Sequence, residues 1–130
     1  VCDNLPIMNE TTFNNIKAQM RKGMLEYCVL LFLANRRAYP SDIIDALSRA
    51  DLIVVEGTLY TLLNRMRKED KLSYQWEESK KGPPRKYYFI TPYGREVLLA
   101  MSAAWDEISN TVSHFRLNDT SQDSFELTKQ

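Results

Sequence analysis

A stretch near the middle of the chain combines base-reading side chains with a pattern that predicts a helix. Its apolar residues recur at i, i+3, i+4 and i+7, the spacing of one buried helix face, and they are Leu59, Leu62, Leu63 and Met66. The polar and basic residues around that stripe are Thr58, Tyr60, Thr61, Asn64, Arg65 and Lys68. Arginine can hold guanine through two hydrogen bonds, and asparagine can hold adenine in the same way. This face is therefore a candidate for contacts in a DNA groove; the alternative is an ordinary solvated helix face.

A second group of positive charges follows in a predicted β-hairpin. Residues 72–77 and 85–90 alternate in the manner of strands, and Gly82-Pro83-Pro84 stiffen the turn between them. The basic residues of the turn and the returning strand are Lys80, Lys81, Arg85 and Lys86. Such side chains neutralise DNA phosphates, and a stiff turn can lie in the minor groove. The alternative is a charged turn that serves only solubility.

The distribution of charge along the chain favours DNA contacts more than the net charge does. The chain has 130 residues and a formal net charge of zero, which by itself argues against a nucleic-acid partner. However, residues 65–86 hold eight basic and four acidic side chains, whereas residues 92–130 hold three basic and six acidic ones. A neutral protein can present a cationic face when its charges are segregated in this way.

Two predicted helices at the start of the chain belong to the elements that must position the candidate DNA contacts. Thr11 or Thr12 can cap the first helix, and its apolar residues at helical spacing are Phe13, Ile16 and Met20. Gly23 can bend or restart that helix, because glycine is unfavourable in a helix interior. Residues 24–34 are nearly all apolar, which predicts a buried core helix with Cys28 as a small core residue.

The next two predicted helices form a helix-turn-helix. Pro40 suits the first turn of one, because its missing N–H costs nothing there. The other begins near Glu56 and ends at the polar break 69–71. A helix, a turn, a helix with a basic outer face and then a hairpin make a winged helix. The expected fold class is mainly α with a small β-hairpin, in a winged helix-turn-helix unit with its N-terminal helix that spans residues 12–91.

A last long helix is predicted for residues 92–116, and it carries an apolar stripe. The stripe has heptad spacing and extends about 27 Å at the helical rise. It consists of Leu98, Met101, Trp105, Ile108, Val112 and Phe115. One helix with such a stripe must bury it: the winged unit can cover the first turns, and the remainder requires a partner, as is expected of a C-terminal dimerisation helix. The polar segments 1–11 and 117–130 are expected to be disordered.

Residue types that do chemistry in enzymes and metal sites are sparse. His114 is the only histidine, and Cys2 and Cys28 are the only cysteines. No convergent carboxylate pair, activated nucleophile or glycine-rich phosphate loop is recognisable, so we expect neither an enzyme nor a metal or cofactor site. The longest apolar run, residues 27–34, is far too short to span a membrane. We therefore expect a cytoplasmic protein.

Four segments together resemble the PadR family of bacterial transcriptional regulators. They are Met20–Glu26, Glu56–Tyr60, Trp76–Ser79 and Arg85–Tyr88, within a resemblance that extends over about residues 20–115. The resemblance implies a homodimeric winged-helix repressor that binds a palindromic operator in double-stranded DNA. It also implies dimerisation through the C-terminal and N-terminal helices. In some members, phenolic acids or flat hydrophobic drugs release the DNA.

The resemblance implies that apolar side chains of the first and last helices form a dimer interface and line an effector cavity. The expected dimer interface comprises Phe13, Ile16, Met20, Leu98, Met101, Trp105, Ile108, Val112 and Phe115. Two symmetry-related Trp105 rings that face a central cavity can sandwich a flat aromatic effector. The other residues expected to line that cavity are Met101, Ile108 and Met24. The alternative is that Trp105 only packs in the dimer core.

Two positions depart from the family pattern. Pro40 replaces a frequent glycine after Tyr39, and proline fits a first helical turn. Val55 replaces a frequent serine, and valine can neither cap a helix nor offer a hydroxyl to a phosphate. Thr58 remains near that helix N-terminus, where backbone N–H groups favour a phosphate.

Two functions stand as hypotheses. The first is a dimeric PadR-like regulator that binds a palindromic operator and is released by a small flat hydrophobic ligand. The second is a winged-helix protein–protein interaction module that binds no DNA. Titration of duplex DNA distinguishes them.

Overall fold

Five helices and a two-stranded β-hairpin make up the described part of the chain. In this computed structural model the backbone is described for residues 8–129 and the side chains for residues 8–118. The elements are α1 (Glu10–Met20), α2 (Met24–Leu33), α3 (Pro40–Arg49), α4 (Glu56–Lys68), β1 (Leu72–Glu77), β2 (Arg85–Ile90) and α5 (Pro92–Lys129). This order confirms the predicted winged helix-turn-helix, mainly α with one small hairpin, followed by a long C-terminal helix.

The first helix begins earlier than the sequence suggested. Asn9 is the N-cap of α1, and its Oδ1 accepts a hydrogen bond from the backbone N–H of Thr12 at 2.7 Å. The expectation of a cap at Thr11 or Thr12 was therefore wrong, because the asparagine just upstream is a better cap than threonine. The segment expected to be disordered, 1–11, overlaps α1 from Glu10 onward, and residues 1–7 lie outside the described residues.

The glycine and the proline that begin α2 and α3 act as expected. Gly23 has a φ of 90°, in the left-handed region that a side chain disfavours, and α2 begins directly after it. Pro40 is buried in the first turn of α3. The backbone N–H of the preceding Tyr39 donates to Asp42 Oδ2 at 3.0 Å. The proline that departs from the family pattern therefore starts this helix and does not break it.

The hydrophobic core lies between α2, α3, α4 and the hairpin. Its buried side chains are Val29, Leu30, Leu33, Ala38, Ile43, Leu47, Leu59, Leu62, Leu63, Met66, Leu72, Tyr88 and Ile90. The apolar stripe predicted for α4 lies entirely in this core, and removal of such side chains from water is the main favourable term of folding. Cys28 packs half-buried against the core as a free thiol. This burial raises the pKa of the Cys28 thiol.

The hairpin pairs β1 with β2 in an antiparallel register that runs from Leu72 opposite Ile90 to Glu77 opposite Arg85. We call residues 72–90 the wing. Ala38, between α2 and α3, forms a bridge to the wing: its N–H and carbonyl exchange hydrogen bonds with Tyr88 at 3.1 and 2.8 Å. The start of α3 is thereby fixed to the middle of the returning strand.

The N-terminal part of α5 is anchored to the winged helix. The Thr91 hydroxyl donates to the carbonyl oxygen of Asp70 at 2.5 Å and accepts from the backbone N–H of Gly94 at 2.9 Å. Further along, the Tyr27 hydroxyl of α2 donates to Ser102 Oγ at 3.0 Å. These bonds set the direction in which α5 leaves the domain.

The C-terminal helix is longer than expected. α5 continues to Lys129 and does not end at residue 116. No glycine or proline follows Gly94 to end the helix. The segment expected to be disordered, 117–130, overlaps α5 as far as residue 129, and its disorder stays a prediction; residue 130 lies outside the described residues.

Among the described residues, no helix is both long and apolar enough to cross a membrane. Within that same part of the chain, no group of three or more His, Cys, Asp or Glu side chains is placed to hold a metal ion.

Candidate nucleic-acid interface

The polar and basic face predicted for α4 points to solvent. Its exposed members are Thr58, Tyr60, Thr61, Asn64, Arg65 and Lys68. Val55 is the N-cap residue of α4, makes no side-chain capping bond and is 74% exposed. The first turn of α4 therefore has no side-chain cap, which leaves its N–H groups available to an anion.

Two hydroxyls on this face are engaged within the helix. Tyr60 Oη donates to Glu56 Oε1 at 3.2 Å, and Thr61 Oγ1 donates to the carbonyl oxygen of Gly57 at 2.9 Å. Partial desolvation of its ring, followed by the hydrogen bond to Glu56, raises the pKa of Tyr60, so its phenol stays protonated at neutral pH. Both hydroxyl oxygens can still accept a hydrogen bond from a donor such as a base amino group.

Arg65 has an acidic neighbour that binds it weakly. Arg65 Nε lies 3.5 Å from Glu69 Oε1, and the two side chains are 61% and 42% exposed. Exposed ion pairs of this kind contribute only about 0.2–1 kcal/mol. The guanidinium can therefore exchange Glu69 for a guanine edge or a phosphate with little loss.

A groove of about 320 Å³ separates α4 from the wing. Tyr60 and Asn64 line it from α4, while Arg85 and Lys86 line it from β2. The remaining lining residues are Pro40, Ser41, Trp76, Pro84 and Tyr88. We call this space the wing groove. Four of the predicted DNA contacts thus face a common space, with a polar helix surface on one side and two cations on the other.

Aromatic rings hold the two cations of the wing groove. The Lys86 ammonium lies 4.6 Å from the ring centroid of Tyr74 and 5.5 Å from that of Trp76. The Arg85 guanidinium lies 3.9 Å from the ring centroid of Tyr39. Each contact of this kind is worth about 0.5–1 kcal/mol at an exposed site. The rings therefore orient both charges without neutralising them.

The other predicted contacts do not reach the wing groove. Thr58, Thr61 and Arg65 line a separate cavity of about 880 Å³ on another side of α4. Arg21 and Lys22, from the turn between α1 and α2, line the same cavity. The predicted DNA contacts that line neither space are Lys68, Lys80 and Lys81. The predicted DNA contacts therefore form two groups on different sides of α4. Three lysines belong to neither group.

Sequence reasoning missed several residues that the fold places beside these contacts. Arg21 and Lys22 form a basic pair directly before Gly23, and that pair was the available signal. Ser41 follows Pro40 at the start of α3 and lines the wing groove, a position that the helix-turn-helix pattern implies. Trp76 was assigned only to a strand, yet it is 60% exposed in that groove.

Three more arginines surround a third cavity, of about 590 Å³, at the root of the wing. The Arg36 and Arg37 guanidinium groups each lie 4.4 Å from a ring centroid, those of Phe32 and Phe89. Arg95 Nη1 donates to the carbonyl oxygen of Ala34 at 3.0 Å. These side chains lie at the end of β2 opposite the turn, so they serve as a reference for charges outside the candidate interface.

The apolar faces of α1 and α5 are largely exposed in the single chain. Leu98 and Met101 pack partly buried against the core, so only the first turns of the α5 stripe are covered. The other members are between 36% and 80% exposed, and they are Phe13, Ile16, Met20, Trp105, Ile108, Val112 and Phe115. The four residues of the predicted effector site, Met24, Met101, Trp105 and Ile108, line none of the three cavities described above.

The family resemblance is confirmed by comparison with known proteins. The family described as the transcriptional regulator PadR-like family matches residues 29–100, which is more than half of the chain. This chain belongs to the PadR-like family of transcriptional regulators.

Solved structures of this family share the fold. A PadR-like transcription factor from Bacteroides fragilis is 56% identical, with a TM-score of 0.67 over 78% of this chain and 98% of that chain. A PadR-like transcriptional regulator from Bacillus cereus is 36% identical, with a TM-score of 0.66 over 75% and 95% of the two chains. PadR from Bacillus subtilis, in complex with operator DNA, is 18% identical over 59% and 45% of the chains and shares the fold with a TM-score of 0.56.

Proposed function

We propose that this chain is a DNA-binding transcriptional regulator that acts as a dimer on a palindromic operator. In each subunit α4 enters the major groove, and the wing contacts the neighbouring backbone and minor groove. The observation that carries the proposal is the wing groove, where Tyr60 and Asn64 face Arg85 and Lys86. Duplex DNA offers partners to both sides at once, base edges to the helix and phosphates to the cations. PadR of Bacillus subtilis, whose fold this chain shares, binds operator DNA.

The exposed apolar faces of α1 and α5 support the homodimer. From Trp105 to Phe115 the α5 stripe lies beyond the part that the winged helix covers. A second copy with the same stripe is a suitable partner, because self-complementary faces form closed two-fold dimers. Such a dimer meets one duplex when its two α4 helices lie about 34 Å apart, one helical turn of DNA. Occupancy of the operator then represses the genes beside it.

Trp105 within the stripe supports regulation by a small flat effector. Two copies of α5 bring two indole rings to one interface, and Met101, Ile108 and Met24 add adaptable apolar surface around them. An effector that binds better to a dimer with a different spacing of α4 shifts the population away from the DNA-binding form. Operator affinity then falls by the difference in effector affinity for the two forms. This mechanism needs neither a cofactor nor a catalytic residue.

Titration with a random-sequence DNA duplex tests the proposal. Affinity should fall by about 10³–10⁵ between about 50 mM and about 200 mM salt if the dimer contacts six to ten phosphates. Absence of binding at both salt concentrations would contradict DNA binding. That result would leave the winged helix as a protein–protein interaction module. A regulator that reaches operator DNA also has to work in the cytoplasm, and fractionation of the producing cells tests that location.

A further inference from the structure

Glu77 and Arg85 face each other across the wing but do not form an ion pair. They are a directly opposed pair of β1 and β2, next to the turn. Opposite charges at such positions attract each other. Arg65 pairs with Glu69, and Lys71 pairs with Glu26 and Glu69, but among the described residues no ion pair joins Arg85 to Glu77. A third side chain engages both of them.

That side chain is Tyr39, at the start of α3. Its hydroxyl donates to Glu77 Oε2 at 3.2 Å, and the face of its ring lies 3.9 Å from the Arg85 guanidinium. Arg85 Nη2 in turn donates to Ser41 Oγ at 2.9 Å. Tyr39 thus binds the Glu77 carboxylate through its hydroxyl and contacts the Arg85 guanidinium through its ring. The Arg85 charge remains without a carboxylate partner at the edge of the wing groove.

Tyr39 is held rigidly enough to separate these two groups. Its backbone N–H donates to Asp42 Oδ2 at 3.0 Å, and its carbonyl accepts the backbone N–H groups of Asp42 and Ile43 at 3.0 and 3.2 Å. Its ring packs on that of Tyr87, with centroids 4.8 Å apart. Burial, and next the hydrogen bond to Glu77, raises the pKa of Tyr39, so the hydroxyl remains a donor at neutral pH.

We propose that Tyr39 is a positioning residue for DNA binding, because it keeps Arg85 away from Glu77 and beside Ser41, where the guanidinium can hold a phosphate. This inference rests on the proposed function. A carboxylate forms strong charge-assisted hydrogen bonds with arginine, as a phosphate does. Without the Tyr39 hydroxyl, Glu77 is free to turn to Arg85 and compete with DNA for it. The protein would then carry the same charges, but one cation fewer would contact the DNA backbone.

The test is the salt dependence of binding to a random-sequence duplex, measured for matched variants. Each phosphate contact contributes about 0.9 to the slope of log K against log salt. Tyr39→Phe keeps the ring but removes the hydroxyl, so the slope should fall by about 0.9 for each bound subunit. Addition of Glu77→Gln removes the competing charge and should restore the slope. Tyr93→Phe, which changes an exposed tyrosine on α5, should leave the slope unchanged.

Each outcome separates positioning from simple stabilisation of the fold. Thermal unfolding of every variant reports stability independently of DNA. A wild-type slope in Tyr39→Phe overturns the positioning role, whether or not its unfolding temperature falls. A reduced slope that Glu77→Gln does not restore overturns it too, because competition by Glu77 is the stated cause. If the unmodified protein does not bind the duplex at all, the proposed function fails, and the positioning role of Tyr39 fails with it; a wild-type slope in Tyr39→Phe overturns the positioning role alone.

Discussion

Gly94, in the first turn of α5, lies directly against the backbone carbonyl of Lys71. A Cβ on Gly94 would overlap the Lys71 carbonyl oxygen and lie 2.8 Å from Ile90 Cγ1. Lys71 joins the end of α4 to β1, and its ammonium is bound to Glu26 of α2 at 2.8 Å. The proposed dimerisation helix therefore rests on the turn that ends the proposed DNA-reading helix. A change in the direction of α5 has to move that turn.

Substitution of Gly94 should disturb this junction. We expect Gly94→Ala to lower the free energy of unfolding by about 1–3 kcal/mol, because the methyl group meets backbone atoms that cannot rotate away. Gly57→Ala is the matched control, since a Cβ at Gly57 meets nothing within 4 Å. That variant should be stabilised by about 0.4–1 kcal/mol through a smaller unfolded-state entropy. Urea denaturation measures both, and wild-type stability in Gly94→Ala would refute the close contact.

Removal of Arg65 should weaken operator binding. We expect Arg65→Ala to lose about 1–3 kcal/mol of binding free energy, because the proposed role of the guanidinium is to hold a guanine edge or a phosphate. Arg36→Ala removes the same charge at the root of the wing, outside the candidate interface, and serves as the control. Fluorescence anisotropy with a labelled operator gives both affinities. Equal losses in the two variants would mean that only total charge matters.

A charge in the α5 stripe should break the dimer. Ile108 is 52% exposed in the single chain, and a dimer interface would bury it. Ile108→Glu should therefore yield monomers that bind operator poorly, because one α4 helix loses its partner in the second half-site. Asn110→Glu places the same charge outside the heptad stripe and should leave a dimer. Sedimentation velocity measures the oligomeric state of both variants. A stable Ile108→Glu dimer would show that the stripe is not the dimer interface.

A flat aromatic effector should quench the fluorescence of Trp105. The chain has two tryptophans, so Trp76→Phe leaves Trp105 as the only reporter. Planar aromatic compounds that stack between two indoles should quench this variant with a saturable dependence on concentration. The reciprocal variant, Trp105→Phe, retains Trp76 in the wing groove as the control. Equal quenching of both variants, or none in Trp76→Phe, would contradict an effector site at Trp105.

The elements of the fold could be predicted because their signals are local. The 3.6-residue spacing from Leu59 to Met66 and the two-residue alternation of the wing depend only on which face is buried. The start of α1 was missed because the two threonines were considered as caps and Asn9, a residue type that caps helices better, was not. The end of α5 was missed because polar residues without glycine or proline do not stop a helix.

The arrangement of the site depended on contacts between distant parts of the chain. The residue types on α4 identified its exposed face, but their division between two cavities depends on how the wing and the α1–α2 turn pack around the helix. Tyr39 and Glu77 lie 38 positions apart, and long-range contacts such as the bridge between Ala38 and Tyr88 bring the start of α3 to the wing. No periodicity in the sequence carries that information.

In the proposed complex, two copies of this chain present their helix-and-wing surfaces to one DNA duplex. Selection of bound sequences from a pool of random duplexes tests it most directly, because binding, symmetry and spacing appear in one result. We expect an inverted repeat whose half-sites have centres about 10 base pairs, or a multiple of that, apart. Failure to enrich any sequence, or enrichment of a single half-site without a symmetric partner, would contradict the account.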